Sequence, residues 1–299
     1  MVQYLFTCET VLTILDIMDK ILEKARKELG EDEQLKNEKL KEFKIWLSNH
    51  PFIKSCRNDD TFLLQFLRIR KYNIENTFIS FEKFFIFRQK YTKWLILSNN
   101  EMEKVWMLFD SGYAYPLIDR DDEGKKIILI QVRKFDTKVF NSCDAIRLLV
   151  LIASTLMEEE ETQIAGISSI SDYTDVSYRY FNLFSLKDIR EFAHCAKHAT
   201  IGREKENYFV NLPTFASFLF DVGKRALNEK LRNRLISTKD MNELVGKHVD
   251  VSILPKEYGG KIPEKDMLKQ FKESFNFHKK SLEKISLCEI DWKASGVKF

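Results

Sequence analysis

From about residue 10 to about residue 95, apolar positions recur at helical spacing. Charged and apolar residues follow that period from Ile21 to Leu47. Asn58-Asp59-Asp60-Thr61 then precedes Phe62, Leu63, Phe66 and Leu67, a stripe at i, i+3 and i+4. Asp and Thr start helices well because their side-chain oxygens accept free backbone N–H groups. A further helix is predicted over Asn73 to Trp94, carrying Phe78, Phe81, Phe84, Phe85 and Phe87. Beyond about residue 110 the pattern changes. Asp119 to Gly124 is a polar turn, and Lys126 to Phe135 (KIILIQVRKF) has strand composition. Asp144 to Met157 is predicted helical, with Glu158 to Glu161 as its solvated end. Ile164 to Ser171 is a second strand, Leu186 to His198 a helix, and Asn207 to Asn211 a third strand. One long helix is predicted from Thr214 to Leu235, then a short one over Met241 to Val245, a strand over Val249 to Leu254 and a helical tail from Glu264 to Ile285. Strands alternating with helices predict a mostly parallel sheet covered by helices. The expected organisation is a helical unit over 1–104 followed by an α/β unit over 105–299.

Composition narrows the function classes. The 299 residues are 44% apolar and 31% charged, with 48 Lys plus Arg against 45 Asp plus Glu, a net charge of +3. So even a balance gives no global signature of nucleic-acid binding, and a basic site has to come from local clustering. The 24 Phe fit an aromatic-rich core or a cavity for an apolar guest. Neither GxGxxG nor GxxxxGK[ST] occurs, which removes dinucleotide and P-loop chemistry. Five scattered Cys without a CxxC fit a reducing compartment. Met1 to Met18 is interrupted by Glu9 and Asp16 and has no basic n-region, so no secretory signal is expected.

Three segments carry a resemblance. Asp60-Thr61-Phe62-Leu63-Leu64-Gln65-Phe66-Leu67-Arg68-Ile69-Arg70-Lys71-Tyr72-Asn73 is similar to the helical-domain signature D-x-x-LLRFLRARKFD. Tyr208-Phe209-Val210-Asn211-Leu212-Pro213 is similar to a strand ending in Asn-x-Pro. Ile253-Leu254-Pro255-Lys256-Glu257-Tyr258-Gly259-Gly260 is similar to an ILPxEYGG turn. In this order and spacing they resemble the CRAL-TRIO lipid-binding family, which includes tocopherol-transfer, retinaldehyde-binding and phosphatidylinositol-transfer proteins. The resemblance runs from about Leu29 to about Ser281. It implies a helical N-terminal domain, then an α/β domain with a mixed, mostly parallel sheet, and a helical lid over a lipid cavity.

By the same resemblance the cavity is lined by Ile167, Ser169 and Ser171 of the second strand and by Phe192, Cys195 and Ala196 of the covering helix. The lid follows Pro213. Its Phe215, Phe218, Leu219, Val222 and Ala226 form an apolar stripe, which an ordinary core-facing helix also has, and the resemblance turns Phe215, Phe218, Leu219 and Val222 toward the cavity. From Asn211 to Arg234, Lys224, Arg225, Lys230, Arg232 and Arg234 stand against Asp221 and Glu229. Such a mixture suits transient docking on an anionic membrane. The resemblance assigns a phosphoinositide headgroup to Arg203, Lys205, Lys230 and Arg234, with Arg68, Arg70 and Lys224 alongside; Arg and Lys suit phosphate by charge and donor number. The chain departs from the family pattern at Asp172-Tyr173-Thr174-Asp175 and at Lys224-Arg225-Ala226-Leu227. Gly202 stands where phosphatidylinositol-transfer members carry an acid, which disfavours that cargo.

For enzyme chemistry the best constellation is His194 and His198 at i, i+4, a zinc-compatible spacing without HExxH. GxSxG is missing too. The expectation is therefore a non-catalytic, monomeric, cytoplasmic carrier of one tocopherol- or retinoid-like lipid. It would need no cofactor, metal or nucleic acid and would touch membranes transiently. The alternative is a phosphoinositide-binding adaptor without cargo.

Overall fold

The structure is a computed structural model that describes residues 8–95, 99–176, 178–181, 187–188, 191, 202–225 and 228–291. The first part is helical: α1 (Cys8–Leu29), α2 (Glu33–Ser48), α3 (Asp60–Ile69), α4 (Ile74–Lys90), α5 (Thr92–Leu95) and α6 (Asn99–Asp110). Asp32, Asp59 and Asn73 cap α2, α3 and α4 by accepting from the backbone N–H groups of Leu35, Phe62 and Asn76. Phe43, Phe62, Phe66, Phe81, Phe84 and Phe85 are all buried in one aromatic core. Phe66 meets Phe81 at 4.9 Å and Phe84 at 5.4 Å, edge to face, the arrangement ring quadrupoles favour. For these phenylalanines the plain core reading holds.

A five-stranded sheet follows in the order β2-β3-β4-β5-β6: β2 (Ala114–Pro116), β3 (Lys126–Gln131), β4 (Ile167–Asp172), β5 (Glu204–Val210) and β6 (Leu235–Thr238). β2 runs antiparallel to β3, and the other pairs are parallel. The helices between are α7 (Ser142–Leu156), α8 (Glu160–Ala165), α9 (Tyr178–Phe181), α10 (Thr214–Arg225), α11 (Glu229–Asn233) and α12 (Met241–Lys247). The tail is α13 (Glu264–Ser286) and β7 (Glu289–Ile290), which pairs antiparallel with β1 (Ile53–Lys54). Ile285, Cys288 and Ile290 thereby bury themselves in the helical core rather than in the core of the sheet.

Three expectations are corrected. The single helix over Thr214 to Leu235 breaks, because Asn228 caps a new helix by accepting from Leu231 N–H at 3.0 Å, and Leu235–Thr238 turns into the edge strand β6. Val249 to Leu254 is a 3-10 turn over Val251–Ile253, started by Asp250 accepting from Ser252 N–H at 2.8 Å. Glu158 to Glu161 is not simply solvated. Glu158 is buried against Arg57 at 2.6 Å, Glu159 meets Arg120 at 2.6 Å, and Glu160 meets Arg68 at 2.9 Å while staying exposed, as Glu161 does, at the start of α8.

Candidate functional site

Alternation along the parallel strands gives the sheet two unlike faces. Leu129, Ile170, Tyr208 and Val210 share one face and are buried, with Tyr208 tilted against His248 and Leu244 of α12 buried in the same core. On the opposite face Ile130, Ile167, Ser169, Asn207, Phe209 and Leu235 all keep partial accessibility. Ser171 on that face is buried, and Ser169 Oγ donates to Asn207 Oδ1 at 2.7 Å, so this serine answers a neighbouring side chain rather than local backbone. An apolar sheet face with two hydroxyls that stays partly accessible is a suitable floor for an apolar guest. Phe192, Cys195 and Ala196 lie outside the described residues, as do His194, His198 and Ala226.

The helix α10 covers this face through rings. Phe220 lies 4.9 Å from Phe209, and Phe215 meets Phe181 at 4.8 Å. Lys224 Nζ donates to the Leu235 carbonyl at 2.6 Å. Residues 216, 220 and 224 are one helix face, and Ala216 on it is buried. Phe215, Phe218 and Val222 project from the other face and are 49%, 69% and 50% exposed. Of the residues expected to line the cavity, Phe218 and Val222 are thus turned away from the sheet, while Phe215 stays half-covered by Phe181. The reason is that α10 is apolar on both sides, and Phe220 takes the contact with the sheet. The side chain of Leu219 lies outside the described set.

A polar knot at the carboxyl end of β4 fixes where α10 begins. Asp172, buried, accepts from Tyr258 Oη at 2.7 Å, Thr174 Oγ1 at 2.5 Å and Thr174 N–H at 2.9 Å. Burial by itself would raise its carboxyl, but the bonds from Thr174 and Tyr258 outweigh it and hold the group below the usual carboxylate range. Asn211 donates to Thr174 Oγ1 at 2.6 Å and has φ 56, a conformation Asn tolerates. Pro213 follows, and its carbonyl accepts from Ala216 and Ser217 N–H at 2.9 Å. Gly260 completes the turn after Tyr258, since a Cβ there would stand 1.7 Å from the Leu254 carbonyl oxygen. The Asn-x-Pro strand end, the Tyr-Gly-Gly turn and the divergent Asp-Tyr-Thr-Asp therefore meet. The last, a departure from the family pattern, thus supplies the carboxylate and hydroxyl that join the other two.

The amino ends of the parallel strands carry the cations. Arg203 precedes β5, Lys205 lies in it and Arg234 precedes β6. Arg203 Nη2 and Lys205 Nζ bond to the same carboxylate oxygen of Glu28, on α1, at 2.5 Å and 3.1 Å, and Arg203 Nη1 donates to the Ile164 carbonyl. Burial would raise Glu28, but the two cations overcome it and pull the carboxyl down to about 2. Lys205 is lowered rather than raised, because burial and adjacent Arg203 outweigh one shared carboxylate. Gly166 makes room: at φ 98 its Cβ would stand 2.4 Å from the Arg203 carbonyl oxygen and 2.9 Å from Lys205 Cγ. Lys230 is exposed on α11 and Arg234 half-buried. Desolvation raises the Glu204 carboxyl above its ordinary value, and the charge of Arg234 offsets part of that rise.

Two assigned arginines sit elsewhere. Arg68 is 1% exposed, and its guanidinium bonds to Glu31, Glu160 and Gln163, joining α3 to α8. That geometry leaves it no path to a headgroup. Arg70 is exposed and donates to Ser80 Oγ. An open cleft of about 1120 Å³ between α1 and the 118–124 turn has largely charged walls, including Lys20, Lys24, Glu28, Asp121 and Glu123, which suits water and ions rather than a lipid tail.

Residues 110–260 match the CRAL/TRIO domain. Clavesin-1 of Pongo abelii is 27% identical over 254 residues, covering 82% of this chain and 70% of that protein. Clavesin-2 of Homo sapiens is 27% identical over 254 residues, covering 82% of this chain and 75% of that protein. The solved structure of Sfh5 covers 79% of this chain and 92% of its own, at 13% identity and a TM-score of 0.49, too loose a likeness to bear on the site. The domain match takes in the sheet, α10 and the Tyr-Gly-Gly turn, about half of all residues, and so the chain belongs to the CRAL-TRIO family.

Proposed function

We propose that this protein binds one small hydrophobic lipid over the accessible sheet face and transfers it between membranes without catalysis. A tocopherol- or retinoid-like molecule, mostly apolar with one polar group, fits a floor of Ile130, Ile167 and Phe209 beside Ser169 and Asn207. The observation that carries the reading is the contrast between the sheet's faces. One buries Leu129, Ile170, Tyr208 and Val210, while the other keeps Ile130, Ile167 and Phe209 partly accessible and is covered by a helix through Phe220. Exposed Phe215, Phe218 and Val222 with Arg225 on the same helix and Lys230 on the next support docking of that helix on an anionic surface, where it would open, whereas Lys224 is engaged with the Leu235 carbonyl. Each cation near such a surface contributes on the order of 1 kcal/mol, enough for a contact that forms and breaks. Among the described residues no helix is long and apolar enough to cross a membrane, in keeping with peripheral contact. The protein works in this reading as a cytoplasmic monomer, with Arg203, Lys205, Lys230 and Arg234 meeting a phosphoinositide headgroup.

Organic extraction of the purified protein followed by mass spectrometry tests the cargo. One hydrophobic molecule per chain is expected, exchangeable with lipid vesicles. A protein that releases none and takes none up, yet binds phosphoinositide vesicles, is an adaptor and overturns the carrier. Replacing Arg203, Lys205, Lys230 and Arg234 together by Ala is expected to abolish the preference for those vesicles.

A further inference from the structure

The strand-edge cations are already answered, incompletely, by a carboxylate of the protein's own. Glu28 Oε2 takes Arg203 at 2.5 Å and Lys205 at 3.1 Å, while Lys24 Nζ stands 3.8 Å from Oε1. Lys24 is itself shared with Glu123, whose carboxylate lies at 3.3 Å and whose carbonyl accepts at 2.8 Å. Glu28 is placed there by the docking of α1. Ile21, Ala25 and Leu29 are buried at i, i+4 and i+8 and share a core with Ile164, next to the strand ends. We infer that Glu28 is a selectivity residue of this anion site: it occupies Arg203 and Lys205 as an internal stand-in for phosphate and admits only headgroups that carry more charge than one carboxylate. The inference rests on reading those cations as the headgroup site.

The physical argument is an exchange. A tethered carboxylate competes at an effective concentration in the millimolar range or above, without losing translational freedom. A headgroup with a single net charge replaces one anion by another and gains nothing in charge at these two cations. A phosphomonoester brings close to two charges and three strong acceptor oxygens, and a headgroup with several phosphates brings more. Only that kind of ligand outbids Glu28. The geometry leaves room for the exchange. The Glu28 side chain is 34% exposed, against 13% for Arg203 and 15% for Lys205, so the carboxylate is the most accessible member of the trio. It also borders the open cleft beside α1, into which it can swing when displaced. Two cations sharing one carboxylate oxygen keep an excess of positive charge, which is why the site attracts an anion even with Glu28 in place.

Co-sedimentation with phosphatidylcholine vesicles doped at equal total charge with either phosphatidylserine or phosphatidylinositol bisphosphate tests this. The unaltered protein should prefer the bisphosphate vesicles. Glu28→Gln should raise binding to phosphatidylserine vesicles about fivefold, the change that one elementary charge near an anionic surface is worth, and narrow the preference. Glu28→Asp keeps the charge, draws it back by one methylene and should fall between the two. It supplies the measurement should Glu28→Gln melt early in circular dichroism. If both variants bind each vesicle type as the unaltered protein does, while Arg203→Ala/Lys205→Ala weakens bisphosphate binding, the selectivity role is overturned and the headgroup site stands. If the double alanine variant binds bisphosphate vesicles normally, the headgroup site itself is overturned, and the inference with it.

Discussion

Two groups of cations lie within a few residues of α8 and behave oppositely. Behind it, Arg57 bonds bidentately to Glu158 and also to Asp59, Arg68 has Glu31, Glu160 and Gln163, and Arg120 has Glu159 and Thr162. In front of it, Arg203 and Lys205 share Glu28. Every donor-rich side chain of the first group has carboxylates of its own; Arg57 is buried with Glu158 and Arg68 with Glu31. The second group is short of anions. A buried cation with a complete set of partners cannot be lent to a ligand, because releasing it would strand a carboxylate away from water. A cation that shares one carboxylate with a second cation can. Partner count, not residue type, separates the arginines that join the helical part to the sheet from those that suit a headgroup.

The largest expected effect breaks the first group. Arg57→Ala leaves Glu158, with a side chain 3% accessible, facing no guanidinium. Stranding a buried charge costs about 3–5 kcal/mol, which a denaturant midpoint reads directly. Binding of the folded fraction to bisphosphate vesicles should not change. If stability holds while vesicle binding falls, the division between the two groups is wrong.

Next comes a residue with a stake in the second group but no charge. Gly166→Ala forces a side chain onto φ 98 and toward the Arg203 carbonyl. A strained left-handed position costs about 1–3 kcal/mol, and here the relief has to come from β5, which carries Arg203 and Lys205. The variant should melt earlier and lose preference for bisphosphate vesicles together. Loss of stability alone would place the strand edge outside the site.

A smaller effect separates binding from folding on α10. Phe218→Ala removes a ring that is 69% exposed, so stability should move by less than about 0.5 kcal/mol. Binding to anionic vesicles should fall about fivefold, since an aromatic ring buried at the membrane boundary contributes on the order of 1 kcal/mol. Phe220→Ala, in contact with Phe209, should show the reverse weighting. Equal behaviour of the two rings would mean that α10 has no outward face.

The sequence was legible where signals are local. The helix start at Asp59 to Thr61, the strands β3, β4 and β5 and the Asn-x-Pro and Gly-Gly punctuation all rest on neighbours within a few positions, whereas β6 lay hidden behind the helical pattern that precedes it. What was not legible depends on distance along the chain. Glu158 finds Arg57 101 positions away, Arg68 finds Glu31 at 37 and Glu160 at 92, and Glu28 finds Arg203 at 175. No periodicity encodes such pairs, so the acidic run was read as a solvated end and Arg68 as a headgroup ligand. The outward turn of Phe218 was hidden differently: with apolar residues on both faces, spacing alone does not say which face meets the sheet. Strand β2, three residues long, is too short to show alternation.

The smallest effect tests whether Glu28 is held by the cations in the manner described. Its carboxyl is depressed to about 2 in the folded protein, against about 4.3 in an unfolded chain. For a depressed acid, the stability contribution is present above the unfolded value and fades as pH falls from about 4.5 toward 2. Water screens a side chain that is a third exposed, so the contribution is about 1 kcal/mol rather than the full value of the shift. Unfolding free energies of the unaltered protein and of Glu28→Gln should therefore differ by about that much at pH 7 and converge as pH approaches 2. Other carboxylates titrate in both proteins and cancel in the difference. A gap that persists at pH 2 would mean that Glu28 acts through packing of α1 and not through charge. No gap at pH 7 would mean that Arg203 and Lys205 do not hold Glu28 at all, and the strand-edge cations would then stand open to any anion, phosphatidylserine included.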